Sequence, residues 1–142
     1  MIDELIREQK PLVSVEDISV SFGYHKVLRN ISLQVPAGQT VVLIGESGCG
    51  KTVLMKTIIG LVRPVSGRVL FDDHDIGTLN DRQLSLLRLR FGFVFQNAAL
   101  FDSMTVGQNV AFPLRQHGDY SSNEIREEVL SRLSEVGLPD DV

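Results

Sequence analysis

Tryptophan is absent from the 142 residues, tyrosine occurs twice, and the only cysteine is Cys49. One thiol cannot form a disulfide within the chain. That excludes a disulfide-held scaffold and suits a reducing compartment. No run approaches the roughly 20 apolar residues that a membrane-crossing helix needs, so any membrane role would pass through partners. Excess positive charge is also missing. Fourteen basic against 18 acidic residues leave a formal charge of −4, which argues against a mainly electrostatic nucleic-acid binder. Residues 1–10 interleave Asp3, Glu4, Arg7, Glu8 and Lys10, unlike a secretory signal. Internal repeats and low-complexity segments are absent too. What remains is ordinary globular composition, 43% apolar and 23% charged, at a length that suits one domain with a real core.

Against that background one stretch stands out. Gly45-Glu46-Ser47-Gly48-Cys49-Gly50-Lys51-Thr52 fits G-x-x-x-x-G-K-[ST], the phosphate-binding P-loop. Glycines at 45, 48 and 50 permit positive φ and close approach to a phosphate. The backbone N–H groups of residues 46–52 can then converge into an anion nest. Lys51 supplies a mobile cation for the β- and γ-phosphates. The Thr52 hydroxyl is a hard oxygen ligand of the kind Mg²⁺ prefers. Cys49 serves as a small loop residue that contributes its N–H. Context supports the motif. Val41, Val42, Leu43 and Ile44 have the apolar, β-branched character of a buried parallel strand. Residues 51–59 predict a helix with Val53, Leu54, Met55 and Ile58 as its apolar positions and Gly60 as its stop. Its N-terminus faces the loop, where the dipole favours negative charge.

The rest of the chain divides into short elements. Residues 1–11 are a leader ended by Pro11. A strand over 12–22, with a bulge near Glu16 and Asp17, and a second over 27–35 form a hairpin. Gly23-Tyr24-His25 is the turn between them, and Pro36-Ala37-Gly38 closes the second strand. A short strand covers 68–71. Asn80 caps a helix over 81–90. A strand covers 91–95 and ends at Gln96. Leu100 and Phe101 lie in the following loop. Thr105 caps a short helix that reaches Leu114. Ser121 and Glu124 form a capping box for a helix with Ile125, Val129, Leu133 and Val136 on one face, stopped by Gly137.

From Leu12 onward, the order of signals resembles the N-terminal half of ATP-binding cassette (ABC) ATPases. The signals are Val20-Ser21-Phe22-Gly23, then Val27-Leu28-Arg29-Asn30-Ile31-Ser32-Leu33, then the P-loop. Ile59-Gly60-Leu61-Val62-Arg63-Pro64-Val65-Ser66-Gly67 and Phe93-Val94-Phe95-Gln96 follow. The resemblance implies an α/β P-loop NTPase: a RecA-like core with an N-terminal antiparallel β subdomain and the start of a helical subdomain. It sets the nucleotide-binding core at about 12–96 and the Q-loop with the helical part at about 97–142. It gives Phe22 the role of stacking on adenine, with Tyr24 as fallback. Gln96 becomes the Q-loop glutamine, near Mg²⁺ and the attacking water. Lys51 and Gln96 are thereby the catalytic candidates, Thr52 and Gln96 the metal-side candidates, and Mg²⁺-ATP the cofactor. Leu100 and Phe101 fall where the family docks its membrane permease.

Residues 88–106 and 109–115 are further similar to the Mla-type phospholipid transporter ATPases, whose relatives work with mammalian-cell-entry proteins. The resemblance thus implies ATP-driven lipid transport across the bacterial envelope. Its partners would be a second ATP-binding subunit and permease subunits, with a cytoplasmic position on the inner face of the membrane and no nucleic acid. A polar amino-acid or other small-solute importer, and a nucleotide-binding module without catalysis, are the alternatives. Val53 stands where many relatives carry Ser or Thr. The signature Ser-Gly-Gly, the Walker B strand with its catalytic Glu, and the switch His are expected after Val142. His25, His74 and His117 all precede the switch position. The C-terminal half is therefore expected to be missing, and the chain alone is expected to bind ATP without useful turnover.

Overall fold

The computed structural model describes residues 10–95 and 99–138. Most of the expected leader, and Gln96, lie outside the described residues. The chain forms two compact units, Met1–Gly92 and Phe93–Val142.

In the first unit, β1 (Pro11–Phe22) is the spine. It pairs antiparallel with β2 (His25–Pro36) on one side and β3 (Ser66–Phe71) on the other. β4 (His74–Asp75) extends the sheet, giving the order β2-β1-β3-β4. The bulge expected near Asp17 is present, with Asp17 at φ 47° and the β1–β2 register shifting between Val15 and Ile18. It has a clear purpose. Val13 and Val15 point inward from odd positions, whereas Ile18 and Val20 point inward from even ones, and all four are buried. One extra residue re-phases the alternation, so both halves of β1 face the same core. Gly67 lies across the bulge, where a Cβ would fall 2.4 Å from the carbonyl oxygens of Glu16 and Asp17.

Helix α1 (Lys51–Ile58) buries Leu54 and Thr57, and Leu54 joins the sheet core with Val69, Phe71 and Ile76. Its end is a Schellman turn: Gly60, at φ 70°, donates to the Thr57 carbonyl at 3.0 Å and Leu61 to that of Lys56 at 2.8 Å. Helix α2 (Asp81–Arg88) starts from the Asn80–Gln83 capping box and buries Leu84.

Two expected strands do not form. Residues 41–44 join no ladder, and Val42 and Ile44 are 72% and 93% exposed. Residues 91–95 are likewise outside any strand. The physical reason is shared. A run that reads as a parallel strand needs a neighbouring strand for its hydrogen bonds and cover on both faces. The described strands pair only antiparallel, and none pairs with these runs.

In the second unit, α3 (Val106–His117) and α4 (Ser122–Glu135) pack through Ala111, Val129 and Leu133, with Val110 and Ile125 at the margin. Helix α3 outlasts the expected end at Leu114. It carries Pro113 internally, at the cost of one backbone N–H bond. Val136, expected on the buried face, is the C-cap residue and is exposed, because Gly137 at φ 73° has already turned the chain.

Candidate functional site

The P-loop bends through Gly48 at φ 81° and Gly50 at φ 101° into α1. Gly50 is buried, and a Cβ there would lie 2.8 Å from Leu28 Cδ2 and 3.2 Å from Val27 Cγ1. Two constraints therefore require glycine at position 50, its φ and the side chains of β2. Gly45 departs from expectation because its φ is not positive. Its constraint is spatial, since a Cβ would sit 2.9 Å from Cys49 Sγ.

Lys51 folds back over the loop. Its Nζ donates to the carbonyl oxygens of Gly45 at 2.8 Å and Glu46 at 2.6 Å, and lies 3.5 Å from Cys49 Sγ. These contacts hold the ammonium within the turn made by the backbone of residues 45–50. Thr52 is exposed at the first turn of α1. Glu46, Ser47 and Cys49 are exposed as well, and Cys49 donates its backbone N–H to the Glu46 carbonyl at 3.4 Å.

The start of α1 differs from the other described α-helices. Asn80, Thr105 and Ser121 each cap their helix with a side-chain oxygen and complete a capping box. Gly50 has no side chain to offer, and no acidic residue occupies the first turn of α1. The first N–H groups of a helix have no intrahelical acceptor. Here they follow a loop whose turn holds the Lys51 ammonium on the Gly45 and Glu46 carbonyls, an arrangement that favours an anion.

The opposite end of α1 is anchored. Arg88 of α2 donates from Nε to the Ile59 carbonyl at 3.2 Å and from Nη2 to the Gly60 carbonyl at 2.8 Å. A cavity of about 300 Å³ adjoins that end, lined in part by Thr57, Gly60, Arg63, Ile76 and Leu84. None of the loop residues lines it, as suits a nest of backbone donors presented at a surface turn.

Phe22 ends β1 opposite His25 and is 54% exposed, while Tyr24 in the turn is fully exposed. Both belong to the end of the hairpin whose Val27 and Leu28 pack on Gly50. The structure thus brings the expected base-stacking candidates and the P-loop to one end of the first unit. Val27 and Leu28 were missed as shapers of the loop. The sequence places them only within the second strand of the hairpin, and nothing local ties them to Gly50. Gln96 lies outside the described residues. Leu100 and Phe101 are 62% and 47% exposed in the second unit.

Residues 28–142 match the family described as ABC transporter. A Mycobacterium leprae protein named probable ribonucleotide transport ATP-binding protein mkl is 42% identical over 91% of this chain and 37% of its own length. The Haemophilus influenzae intermembrane phospholipid transport system ATP-binding protein MlaF is 41% identical over 89% of this chain and 48% of its own. Among solved structures, the ATP-binding cassette MJ0796, dimeric and bound to ADP and Pi, superposes with a TM-score of 0.80 at 30% identity. That match covers 89% of this chain and 58% of that one. The chain therefore spans less than half the length of these two curated relatives. The likeness establishes an α/β P-loop fold of the cassette type, with its antiparallel sheet among the described residues.

Proposed function

From the premise that this chain belongs to the ABC transporter family, we propose that residues 45–52 hold the phosphates of Mg²⁺-ATP for a transporter. The observation that carries this is the uncapped N-terminus of α1 behind Gly48 and Gly50, with the Lys51 ammonium held in the same turn. Backbone donors and one mobile cation match the charge of a polyphosphate, and the exposed Thr52 hydroxyl offers Mg²⁺ an oxygen ligand. Bound Mg²⁺ would neutralise charge on the phosphate oxygens. Lys51 reaches the phosphates by exchanging its two carbonyl partners for phosphate oxygens, so the loop is pre-shaped around the group it releases. Phe22 stacks on the base, and Gln96 serves the metal and the attacking water. The nucleotide-binding core is taken as 12–96 and the helical part as 97–142.

The transported substrate is proposed to be phospholipid. Support comes from the Haemophilus influenzae relative and from an Escherichia coli protein of the same name, 39% identical. The mycobacterial relative is named for ribonucleotide transport instead, which makes a nucleotide-derived solute the second reading. A second ATP-binding subunit, as in the dimeric cassette, and a membrane permease docked at Leu100 and Phe101 complete the assembly at the cytoplasmic face. No helix among the described residues is long and apolar enough to cross a membrane, so translocation falls to that partner.

Equilibrium titration with a fluorescent ATP analogue and Mg²⁺ tests the binding step. Hydrogen bonds from charged groups are worth about 1.5–3 kcal/mol. Lys51→Ala should therefore weaken binding by about 10- to 100-fold. Equal affinity in the two chains would refute the assignment of Lys51.

A further inference from the structure

The cavity at the C-terminal end of α1 lies apart from the P-loop and holds chemistry that phosphate binding does not use. Its volume of about 300 Å³ stands at the small end of the roughly 300–1,000 Å³ range of ligand pockets. That suits a molecule of amino-acid size. Val69, Ile76 and Leu84 give the cavity a buried apolar lining, and half-buried Val62 and Pro64 extend it. An apolar pocket with a few polar groups is the usual form of a small-molecule site. Here the polar groups carry both signs of charge.

Arg63, an exposed lining residue, has no hydrogen bond or ion pair among the described residues. Asp75 is half-buried and commits Oδ1 to the Gly77 N–H at 2.8 Å. Its Oδ2 has no hydrogen bond or ion pair among the described residues. Arg68 also lines the cavity, but its Nε donates to Glu16 Oε2 at 2.6 Å, which offsets that charge. Glu16 is the larger influence on that guanidinium and Asp75 the smaller. One positive and one negative side chain, Arg63 and Asp75, therefore remain without a counter-ion on a single apolar pocket. Buried Thr57 adds a hydroxyl whose proton goes to the Val53 carbonyl at 2.8 Å, so its oxygen is left to accept. Such a set complements a zwitterion. The Arg63 guanidinium offers a fork of donors to a carboxylate, and Asp75 offers an acceptor to an ammonium. We propose that this cavity binds a free α-amino acid with an apolar side chain, its carboxylate on Arg63, its ammonium on Asp75 and its side chain among Val69, Ile76 and Leu84. A zwitterionic lipid headgroup shares the paired charges, but it brings no apolar body of its own for that lining. The site is independent of the nucleotide reading above.

Titration calorimetry of the full chain with L-leucine tests this, beside three probes that each lack one feature. Isocaproate lacks the ammonium, isoamylamine the carboxylate, and glycine the apolar side chain. Leucine should bind about tenfold more tightly than each, because a bond to a charged group and a buried apolar side chain are each worth at least that factor. Glycerophosphoethanolamine, the headgroup probe, should bind as weakly as glycine. Leucine should also shift the methyl resonances of Ile76 and Leu84 and leave those of Val129 in the second unit unmoved. Arg63→Ala and Asp75→Asn should each weaken leucine binding by about tenfold, with far-ultraviolet circular dichroism unaltered. Asparagine keeps an Oδ1 acceptor for the Gly77 N–H, and Arg63 is exposed, so neither change removes a described contact. The wild-type probe series decides the charge requirement even where a variant fails to fold. The proposal is overturned if leucine does not bind, if any of the three probes equals it, or if the headgroup probe binds more tightly. Wild-type leucine affinity in either folded variant, or shifts confined to the second unit, would overturn it as well.

Discussion

Gly50 carries two separate demands at one Cα. Its φ of 101° is strained for any residue with a Cβ, and Leu28 Cδ2 would stand 2.8 Å from that atom. Gly50→Ala should therefore cost about 1–3 kcal/mol and disturb the start of α1. Denaturant unfolding and the ATP-analogue titration would both register it. Gly48→Ala meets only the first demand, since a Cβ there would have no atom within 4 Å. It should be the milder change, and parity of the two would refute the role given to Leu28. The loop residues were legible because the motif encodes local geometry: a backbone that must turn, and a lysine one residue beyond. Gly45 was misjudged because a spacing pattern cannot distinguish a glycine needed for φ from one needed for room beside Cys49 Sγ.

Among the elements, α1 is held at both ends by unlike means. Its beginning is left open, whereas the carbonyls of Ile59 and Gly60 just past its last turn are taken by Arg88 and Gly60 is covered by Leu84. A cation at a helix C-terminus also complements the dipole. Arg88→Ala should lower stability by about 1–3 kcal/mol, seen as a reduced unfolding midpoint. Arg88→Lys should recover only part, because a point charge cannot reproduce the guanidinium fork on two carbonyls. An alanine variant as stable as wild type would show that the Schellman turn suffices alone. The caps at Asn80 and Thr105 and the capping box at Ser121 and Glu124 were readable because they are written within four residues, whereas the reciprocal bonds from Gln83 and Gln108 are seen only in the structure. The bulge at Asp17 was readable from the change of inward parity between Val15 and Ile18. Residues 41–44 were not, because a strand exists only in pairing, and the sequence of a strand does not name its neighbour. The clasp that Asn109 Oδ1 and Nδ2 make on the Phe101 N–H and carbonyl was equally hidden, since it joins positions eight residues apart through a side chain common on helix surfaces.

For the molecule as a whole, the run 41–44 sets the dominant liability. Val41, Val42, Leu43 and Ile44 are 44%, 72%, 37% and 93% exposed, contiguous and uncharged, with backbone groups outside any ladder. Such a run offers both apolar area and unpaired N–H and C=O groups to another copy. The net charge of −4 opposes association only weakly at physiological salt, where the Debye length is about 8 Å. The 142-residue chain should therefore self-associate as its concentration rises, with sedimentation velocity showing a shift to heavier species. Val42→Lys and Ile44→Lys place charge on the most exposed positions and should suppress that shift. They leave the hairpin, α1 and the α3–α4 pair untouched, so far-ultraviolet circular dichroism should be unaltered. Association that persists in both variants would move the sticky surface to the second unit, where Leu100 and Phe101 are the exposed apolar pair, and Phe101→Ala would then be the variant that suppresses it.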